Sequence, residues 1–196
     1  MALRPGEGAP RLIQVPPHVL PDLLAPGLDL VLCGTAPSRI SRQVGAYYAS
    51  PGNLFWPTLH AVGLTPRLLA PSEYRDVLGY RIGLTDLNKT EWGSDAELSV
   101  DGFDVAGLRA KLARFKPQAV AFTSKTAGRH FFGTPVGYGR QPALADLPSI
   151  AWFVLASPSG RARGHWTPEP WQELGRFVAA LRAEPSRRSG ARRVRP

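Results

Sequence analysis

The chain has 196 residues, of which 43% are hydrophobic and 20% charged, with 20 glycines and 20 prolines. This size and composition predict one packed domain and exclude a wholly disordered chain. No apolar run approaches the roughly 18 residues of a membrane span, and the N-terminus lacks the apolar core of a secretion signal. We therefore expect an intracellular protein (cytoplasm or nucleoid in a bacterium) with no membrane partner. The single cysteine, Cys33, excludes an internal disulfide and a metal centre built from several thiolates.

The net charge of +9 is unevenly distributed. Residues 185–196 carry five arginines and no acid, which leaves +4 for the rest of the chain. Such a tail attracts polyanions, including nucleic acids, but a flexible solubilising tail explains it equally well. We divide the chain into a proline-rich arm at residues 1–27 packed on the domain, the domain itself at residues 28–184, and a flexible basic tail at residues 185–196.

Apolar spacing predicts short strands and helices that alternate along the chain. Strands are predicted at Leu28–Cys33, Arg81–Leu87, Ala119–Thr123 and Ile150–Leu155. Helices are predicted at Pro17–Leu24, 54–62, Pro71–Leu78 (with Ser72 as its cap), Phe103–Phe115 and Pro170–Ala183. This alternation is typical of an α/β fold: a single domain with a central, mostly parallel sheet of about four to five strands and helices on both faces.

Ligands of such sheets bind at the carboxyl ends of the strands, so the loops that follow the strands are the places to look for a site. The loop after the first strand lacks the glycine patterns that bind nucleotides. It has instead a turn at Gly34, two adjacent tyrosines, and the string Ala49-x-Pro51-x-Asn53-x-Phe55-Trp56. The loop after the last strand has a Ser-Pro-Ser-Gly turn followed by Arg161 and Arg163, which suits contacts to phosphates.

These two loops and their order resemble the mismatch-specific uracil and thymine DNA glycosylases of the uracil-DNA glycosylase superfamily. The family's first motif, G-x-N-P-G, is similar to Gly34-Thr35-Ala36-Pro37-Ser38, and its A-x-P-x-N-x-F-W string is similar to residues 49–56. Its N-P-S-G motif is similar to Ser157-Pro158-Ser159-Gly160. Further similar positions are the segment YRIGLT at 80–85, Lys125 and Tyr138-Gly139-x-Gln141, so that the resemblance spans roughly residues 28–181.

The resemblance implies a glycosylase that flips a base out of mismatched DNA and hydrolyses the N-glycosidic bond of uracil, or of a related damaged base, in base excision repair. Tyr48 would stack on the flipped base, with Tyr47 as the alternative, while Phe55 and Trp56 belong to the core. The expected base pocket is Gly34, Thr35, Ala36, Pro37, Ser38 and Tyr48. The expected DNA contacts are Ser157, Pro158, Ser159, Gly160, Arg161, Arg163 and Lys125.

The implied partner is double-stranded DNA with a U:G or similar mismatch, with single-stranded DNA as an alternative substrate. We expect a monomer. We also expect no cofactor and no metal, because the histidines lie outside any cluster with metal-ligand spacing. His165 lies beside the proposed DNA loop, where a contact to a phosphate or to the leaving group and an ordinary surface position are both open.

The sequence departs from the family at one decisive position. The family's first motif has an Asn that positions the attacking water, and this chain has Ala36 there. Either activity is lost, or a carboxylate from another loop stabilises the cationic sugar and orients water. The candidates are Asp86, Glu91 and Asp95. Asp95, in the loop after the second strand, is the first choice. Asp86 is only the second choice, because its place in the strand-like GLTDL suggests a structural role instead.

Two other functions stay open. The first is a catalytically weak or silent protein of the same fold that binds damaged DNA, which Ala36 suggests. The second is a nucleoside hydrolase that uses the same pocket without DNA. Salt would separate DNA binding from nucleoside hydrolysis, because only binding to a polyanion weakens steeply with ionic strength.

Overall fold

A five-stranded sheet forms the centre of the computed structural model, which describes residues 18–184. The strands are β1 Leu30–Gly34, β2 Ile82–Asp86, β3 Ala119–Phe122, β4 Gly139–Gln141 and β5 Ala151–Val154. Their order is β2-β1-β3-β5-β4. In this order β2, β1, β3 and β5 run parallel to one another, whereas β4 at the edge pairs antiparallel with β5. The predicted α/β domain with a mostly parallel sheet is confirmed.

Helices connect the strands and cover both faces of the sheet. They are α1 Arg39–Val44, α2 Phe55–Ala61, α3 Val105–Phe115, α4 Lys125–Phe132 and α5 Glu169–Ala183. Short 3-10 segments occupy Pro71–Tyr80, Asp95–Glu97, Val100–Gly102 and Gly160–His165. None of the helices in the described part of the chain is long and apolar enough to cross a membrane.

Two buried clusters hold the layers together, because side chains alternate between the two faces of each strand. Leu30 and Leu32 of β1 face one cluster, which includes α2 and α5. Val31 and Cys33 face the other cluster, which includes α3 and α4. Burial on both faces explains why β1, β3 and β5 are apolar along their whole length.

The strands predicted from apolar runs and the helices α2, α3 and α5 occur within a few residues of their predicted bounds. The helix predicted over Pro17–Leu24 is wrong for its described part. Residues 18–24 run without a helix, and Leu23 pairs antiparallel with Leu84, its N–H donating to the Leu84 carbonyl at 2.9 Å. β2 lies at the edge of the sheet, so its free backbone groups bind this segment, and Pro21 disfavours a helix there.

The cap predicted at Ser72 is also wrong. The 3-10 segment begins after Ala70, whose N–H donates to the Glu73 carboxylate at 2.7 Å, while Ser72 is exposed. Conversely, α1 and α4 lie in stretches that were predicted only as loops. Each begins at a serine cap, Ser38 or Ser124, and ends at a left-handed glycine, Gly45 or Gly133. These start and stop signals are visible in the sequence.

The described part of the proline-rich arm, residues 18–27, packs on the domain. Leu20 and Leu23 are buried in the cluster that includes α2 and α5, and the Tyr47 hydroxyl donates to the Pro21 carbonyl at 3.2 Å. The rest of the predicted arm and the basic tail at residues 185–196 lie outside the described residues, so the predicted division into arm, domain and tail stays a prediction.

We predict that the cap of α3 contributes measurably to stability. The Asp104 carboxylate accepts a hydrogen bond from the Gly107 N–H at 2.8 Å and has no place in the site described below. Asp104→Ala should lower the free energy of unfolding in urea by about 1 kcal/mol, as the loss of a side-chain cap does elsewhere. Ser72→Ala, at an exposed position that caps nothing, should change it by less than about 0.5 kcal/mol. Equal effects of the two substitutions would contradict the assignment.

Candidate active site

A cleft with a volume of about 840 Å³ opens at the carboxyl ends of the parallel strands. Loops that follow β1, β2, β3 and β5 line it, as the topology of such sheets leads one to expect. It brings together nearly all the residues singled out from the sequence. These are Gly34, Thr35, Ala36, Pro37, Ser38, Tyr48, Asp86, Asp95, Lys125, Ser157, Pro158, Ser159, Gly160 and Arg161.

Hydrogen bonds hold the loop after β1 against the chain that follows β2. The Leu87 N–H donates to the Gly34 carbonyl at 2.9 Å, and the Asn88 N–H donates to the Thr35 carbonyl at 2.8 Å. Further along, the Gly93 N–H donates to the Pro37 carbonyl at 2.9 Å. Ser38 caps α1, and its hydroxyl lies 2.7 Å from that of Ser50. The first loop is therefore fixed along its length, and the chain that follows β2 lines one wall of the cleft with Gly93, Ser94, Asp95 and Glu97.

Tyr47 and Tyr48 are adjacent in the chain but differ in their surroundings. Tyr47 is 2% exposed, and its hydroxyl both donates to the Pro21 carbonyl and accepts a hydrogen bond from Lys89 Nζ at 3.2 Å. Tyr48 is half-buried, with a left-handed backbone (φ 53°). One face of its ring stacks on Phe55, with centroids 3.6 Å apart and planes 10° apart. Only the opposite face of Tyr48 is left for a ligand.

The Tyr48 hydroxyl points to the floor of the cleft. It shares a hydrogen bond of 3.1 Å with the Thr123 hydroxyl at the end of β3. Burial raises the pKa of this phenol well above its ordinary value, so that it is protonated at neutral pH. Phe55 and Trp56 lie in the core, where the Trp56 Nε1–H donates to the Tyr47 carbonyl at 3.1 Å.

Asp86 is the buried carboxylate of the cleft. It ends β2, directly beside Gly34 in the parallel register of β1 and β2. Asp86 is 4% exposed, and its Oδ2 atom is buried without a hydrogen-bond partner among the described residues. Burial raises the pKa of Asp86 to about 7, while the nearby Lys89 ammonium lowers it and Asp22 raises it. This carboxyl group therefore changes charge near neutral pH.

Gly34 makes room for that carboxylate. A Cβ atom at position 34 would overlap Asp86 Oδ1 and lie 3.1 Å from the Tyr48 hydroxyl oxygen. The glycine at the end of β1 thus lets the Asp86 carboxylate and the Tyr48 hydroxyl approach the same point on the cleft floor. Sequence reasoning placed this glycine in a tight turn and in the expected base pocket, but not beside a carboxylate.

Asp95 lies at the mouth of the cleft rather than on its floor. It begins the 3-10 segment Asp95–Glu97 and is exposed to solvent. Its neighbour Glu97 accepts hydrogen bonds from the Ser94 N–H at 2.6 Å and from Arg39 at 3.5 Å. Glu91, the third candidate, is held by the side chains of Asn88 and Ser99 and does not line the cleft.

The loop after β5 closes the other side of the cleft against the loop after β1. The Leu54 N–H donates to the Pro158 carbonyl at 2.8 Å, which joins the two stretches that carry the motif resemblance. Ser159 caps the 3-10 segment Gly160–His165, and both Arg161 and His165 line the cleft. Arg163 does not line it, and its guanidinium lies instead beside Gly52.

Lys125 stands on the rim at the first turn of α4. Its side chain is exposed, and Nζ lies 4.1 Å above the centroid of the Tyr138 ring. Among residues 18–184, no group of three or more His, Cys, Asp or Glu side chains could hold a metal ion. On its floor the cleft presents the buried Asp86 carboxylate, the neighbouring Tyr48 and Thr123 hydroxyls and an aromatic face.

The fold and the cleft define an α/β protein with an open site at the carboxyl ends of the parallel strands. A family model described as the uracil DNA glycosylase superfamily matches residues 21–179. The chain belongs to this superfamily, and the membership supports a DNA glycosylase. The fold is also similar to the solution NMR structure of a "putative Uracil DNA glycosylase" from Methanosarcina acetivorans. That match has a TM-score of 0.56 and 24% identity, and it covers 82% of this chain and 96% of the other.

We predict that ionised Asp86 destabilises the folded protein. Its folded pKa of about 7 lies above its ordinary value of 3.8, so the folded state holds the proton more tightly than the unfolded state. Stability is therefore lost as the pH rises from about 4 to about 7. Asp86→Asn removes this loss, and the variant should be more stable than the wild type by about 2–4 kcal/mol at pH 8 and by much less at pH 5.

Urea unfolding of both proteins at each pH measures this difference. Asp95→Asn is the matched control, because it removes the same charge from an exposed position on the same cleft. A stability difference between wild type and Asp86→Asn that does not grow with pH would contradict the prediction.

Proposed function

We propose that the protein is a monofunctional uracil-DNA glycosylase that acts on mismatched duplex DNA, with Asp86 as its catalytic carboxylate. The observation that carries the proposal is the buried Asp86 on the floor of the cleft, next to the loop in which Ala36 stands where the resembling family has its catalytic Asn. Asp86 thus takes precedence over Asp95, which was the first choice from the sequence alone.

Asp86 is preferred to Asp95 as the catalytic carboxylate because it is buried. A carboxylate that water does not screen interacts more strongly with a developing positive charge than an exposed one does. Asp86 lines the cleft, and no described residue donates a hydrogen bond to its buried Oδ2. The protein therefore does not neutralise the carboxylate with a hydrogen bond at that atom. Asp95 is exposed at the mouth, where solvent screens its charge.

In the proposed reaction, a flipped uracil enters the cleft and lies against the free face of Tyr48. Cleavage of the N-glycosidic bond gives the deoxyribose cationic character while the base leaves as an anion. Ionised Asp86 stabilises that cation and accepts a proton from the water that attacks the sugar carbon. The uracil anion then takes up a proton and Asp86 releases the one that it accepted, so the products are free uracil and an abasic site. No lysine adduct forms.

The DNA contacts are assigned to the loops at the rim. Ser157, Pro158, Ser159, Gly160 and Arg161 line one side of the cleft, and Lys125 stands on the adjacent rim. We propose that Arg161 enters the gap that the flipped base leaves, and that Lys125 and Arg163 contact phosphates. A catalytically silent DNA-binding protein is not favoured, because a buried, unpartnered carboxylate has no use in binding a polyanion.

Excision tests the proposal directly. Uracil in a U:G duplex should be converted to an alkali-labile site under single-turnover conditions, at a rate that rises between pH 5 and pH 8 as Asp86 ionises. Asp86→Asn should lower the rate at pH 8 by roughly 100-fold or more, and Asp95→Asn should change it by less than about threefold. A large loss of excision rate in Asp95→Asn and none in Asp86→Asn would contradict the proposal and favour Asp95, the first choice from the sequence.

Affinity for DNA tests the rim. Arg161→Ala should weaken binding to a duplex with a non-cleavable U:G analogue and make the salt dependence of the binding constant shallower by about one unit of slope. Arg129→Ala is the charge-matched control, because Arg129 is exposed on α4 and does not line the cleft. Equal losses in the two variants would show that only net charge matters and would refute a specific role for Arg161.

A further inference from the structure

The proposed reaction leaves one buried charged group unused. Lys89 follows Asp86 by three residues and is 4% exposed. Its Nζ lies 2.8 Å from Asp22 Oδ1 and donates a hydrogen bond to the Tyr47 hydroxyl at 3.2 Å. Removing an ion pair from water costs free energy that the attraction between the two charges offsets only in part. A pair in this position therefore calls for a role besides stability.

Asp22 holds the ammonium in place. Its carboxylate also accepts hydrogen bonds from the Thr85 hydroxyl at 2.6 Å and from Lys111 Nζ at 2.7 Å. Thr85 precedes Asp86 in β2, and Lys111 belongs to α3. Asp22, Lys89 and Lys111 form a charge cluster in which Lys89 is buried and the other two are partly exposed. The hydrogen bond from Thr85 ties the cluster to the strand that carries Asp86.

The other titratable groups around Asp86 are neutral at neutral pH. Burial raises the pKa of the Cys33 thiol and of the Tyr47 and Tyr48 phenols, and Asp86 adds to each of these shifts. Among the described residues, the charges that act on Asp86 are therefore Lys89, which lowers its pKa, and Asp22, which raises it less. Because no residue between positions 18 and 184 donates a hydrogen bond to Asp86 Oδ2, the ionisation of this carboxyl group depends on a charge at longer range.

We propose that Lys89 is a positioning residue of the active site, a fixed buried cation that keeps the Asp86 carboxylate ionised for catalysis while Asp22 holds it in place. This inference rests on the proposed function. Lys89 touches neither substrate nor water in this role. It acts on the reaction only through the charge state of Asp86, and its loss should be felt at low pH and not at high pH.

The test is the pH profile of single-turnover uracil excision from a U:G duplex between pH 5 and pH 9.5. In Lys89→Met the acid limb of the pH profile should move to higher pH by about one unit. Excision should then be roughly tenfold slower at pH 5.5, roughly fivefold slower at pH 7 and close to the wild-type rate at pH 9.5. Lys89→Arg keeps the positive charge, so the acid limb of its pH profile should lie close to that of the wild type. Lys111→Met removes the other lysine from the same carboxylate and should leave the limb nearly unchanged.

A folded Lys89→Met protein with the wild-type limb, or with the same fractional loss at every pH, would overturn the proposal. Circular dichroism and thermal unfolding establish folding. If Lys89→Met fails to fold, the double variant Asp22→Asn/Lys89→Met removes the pair as a unit. It should still move the limb upward, because Lys89 acts on Asp86 more strongly than Asp22 does. An unmoved limb in the folded double variant would equally overturn the proposal.

A readout without DNA separates this inference from the proposed function. Carbon-13 NMR of labelled aspartate, with the Asp86 signal identified by its absence from Asp86→Asn, follows the ionisation of Asp86 directly. The midpoint should move upward in Lys89→Met and stay in place in Lys111→Met. Absence of excision by the wild type would refute the proposed function alone, whereas an unmoved midpoint would refute the role of Lys89 even if excision occurs.

Discussion

The parallel pairing of β1 with β2 is the constraint on which the site depends. This register places Gly34 directly beside Asp86 at the carboxyl ends of the two strands, where the absence of a Cβ on the glycine leaves room for the carboxylate. A shift by one residue would turn Asp86 toward the opposite face of the sheet, because side chains alternate along a strand. The carboxylate reaches the cleft floor only because the sheet has this register.

The burial of Asp86, which suits its proposed role in catalysis, lowers the stability of the folded protein. Asp86 is almost inaccessible to water, its Oδ2 is unpartnered among the described residues, and its charged form is disfavoured up to about pH 7. The Lys89–Asp22 pair lies beside it and is itself costly to bury. Active sites commonly concentrate such unfavourable groups, because a preorganised charge acts on the transition state without having to be ordered during the reaction. The apolar clusters on both faces of the sheet supply the stability that offsets this cost.

Local patterns predicted much of the fold and failed where tertiary contacts compete with them. The strands and the helices α2, α3 and α5 follow from apolar runs and spacing, because burial on a sheet or helix face requires those patterns. The segment at 18–24 has helical spacing, yet it pairs with the free edge of β2. The helices α1 and α4 are short and polar on much of their surface, so only their serine and glycine caps indicate them.

The sequence by itself determined the superfamily, the α/β class and the two loops that face each other across the cleft, because their motifs are local strings of residues. It also showed that Ala36 cannot position water. Which of the candidate carboxylates is buried at the floor of the cleft was decided by the tertiary structure alone. Asp86 and Asp95 are nine positions apart, and the strand-like surroundings of Asp86 suggested only a structural role for it. Only strand pairing buries the first beneath the cleft beside Lys89 and leaves the second in solvent, because burial and charge environment are properties of the packed chain.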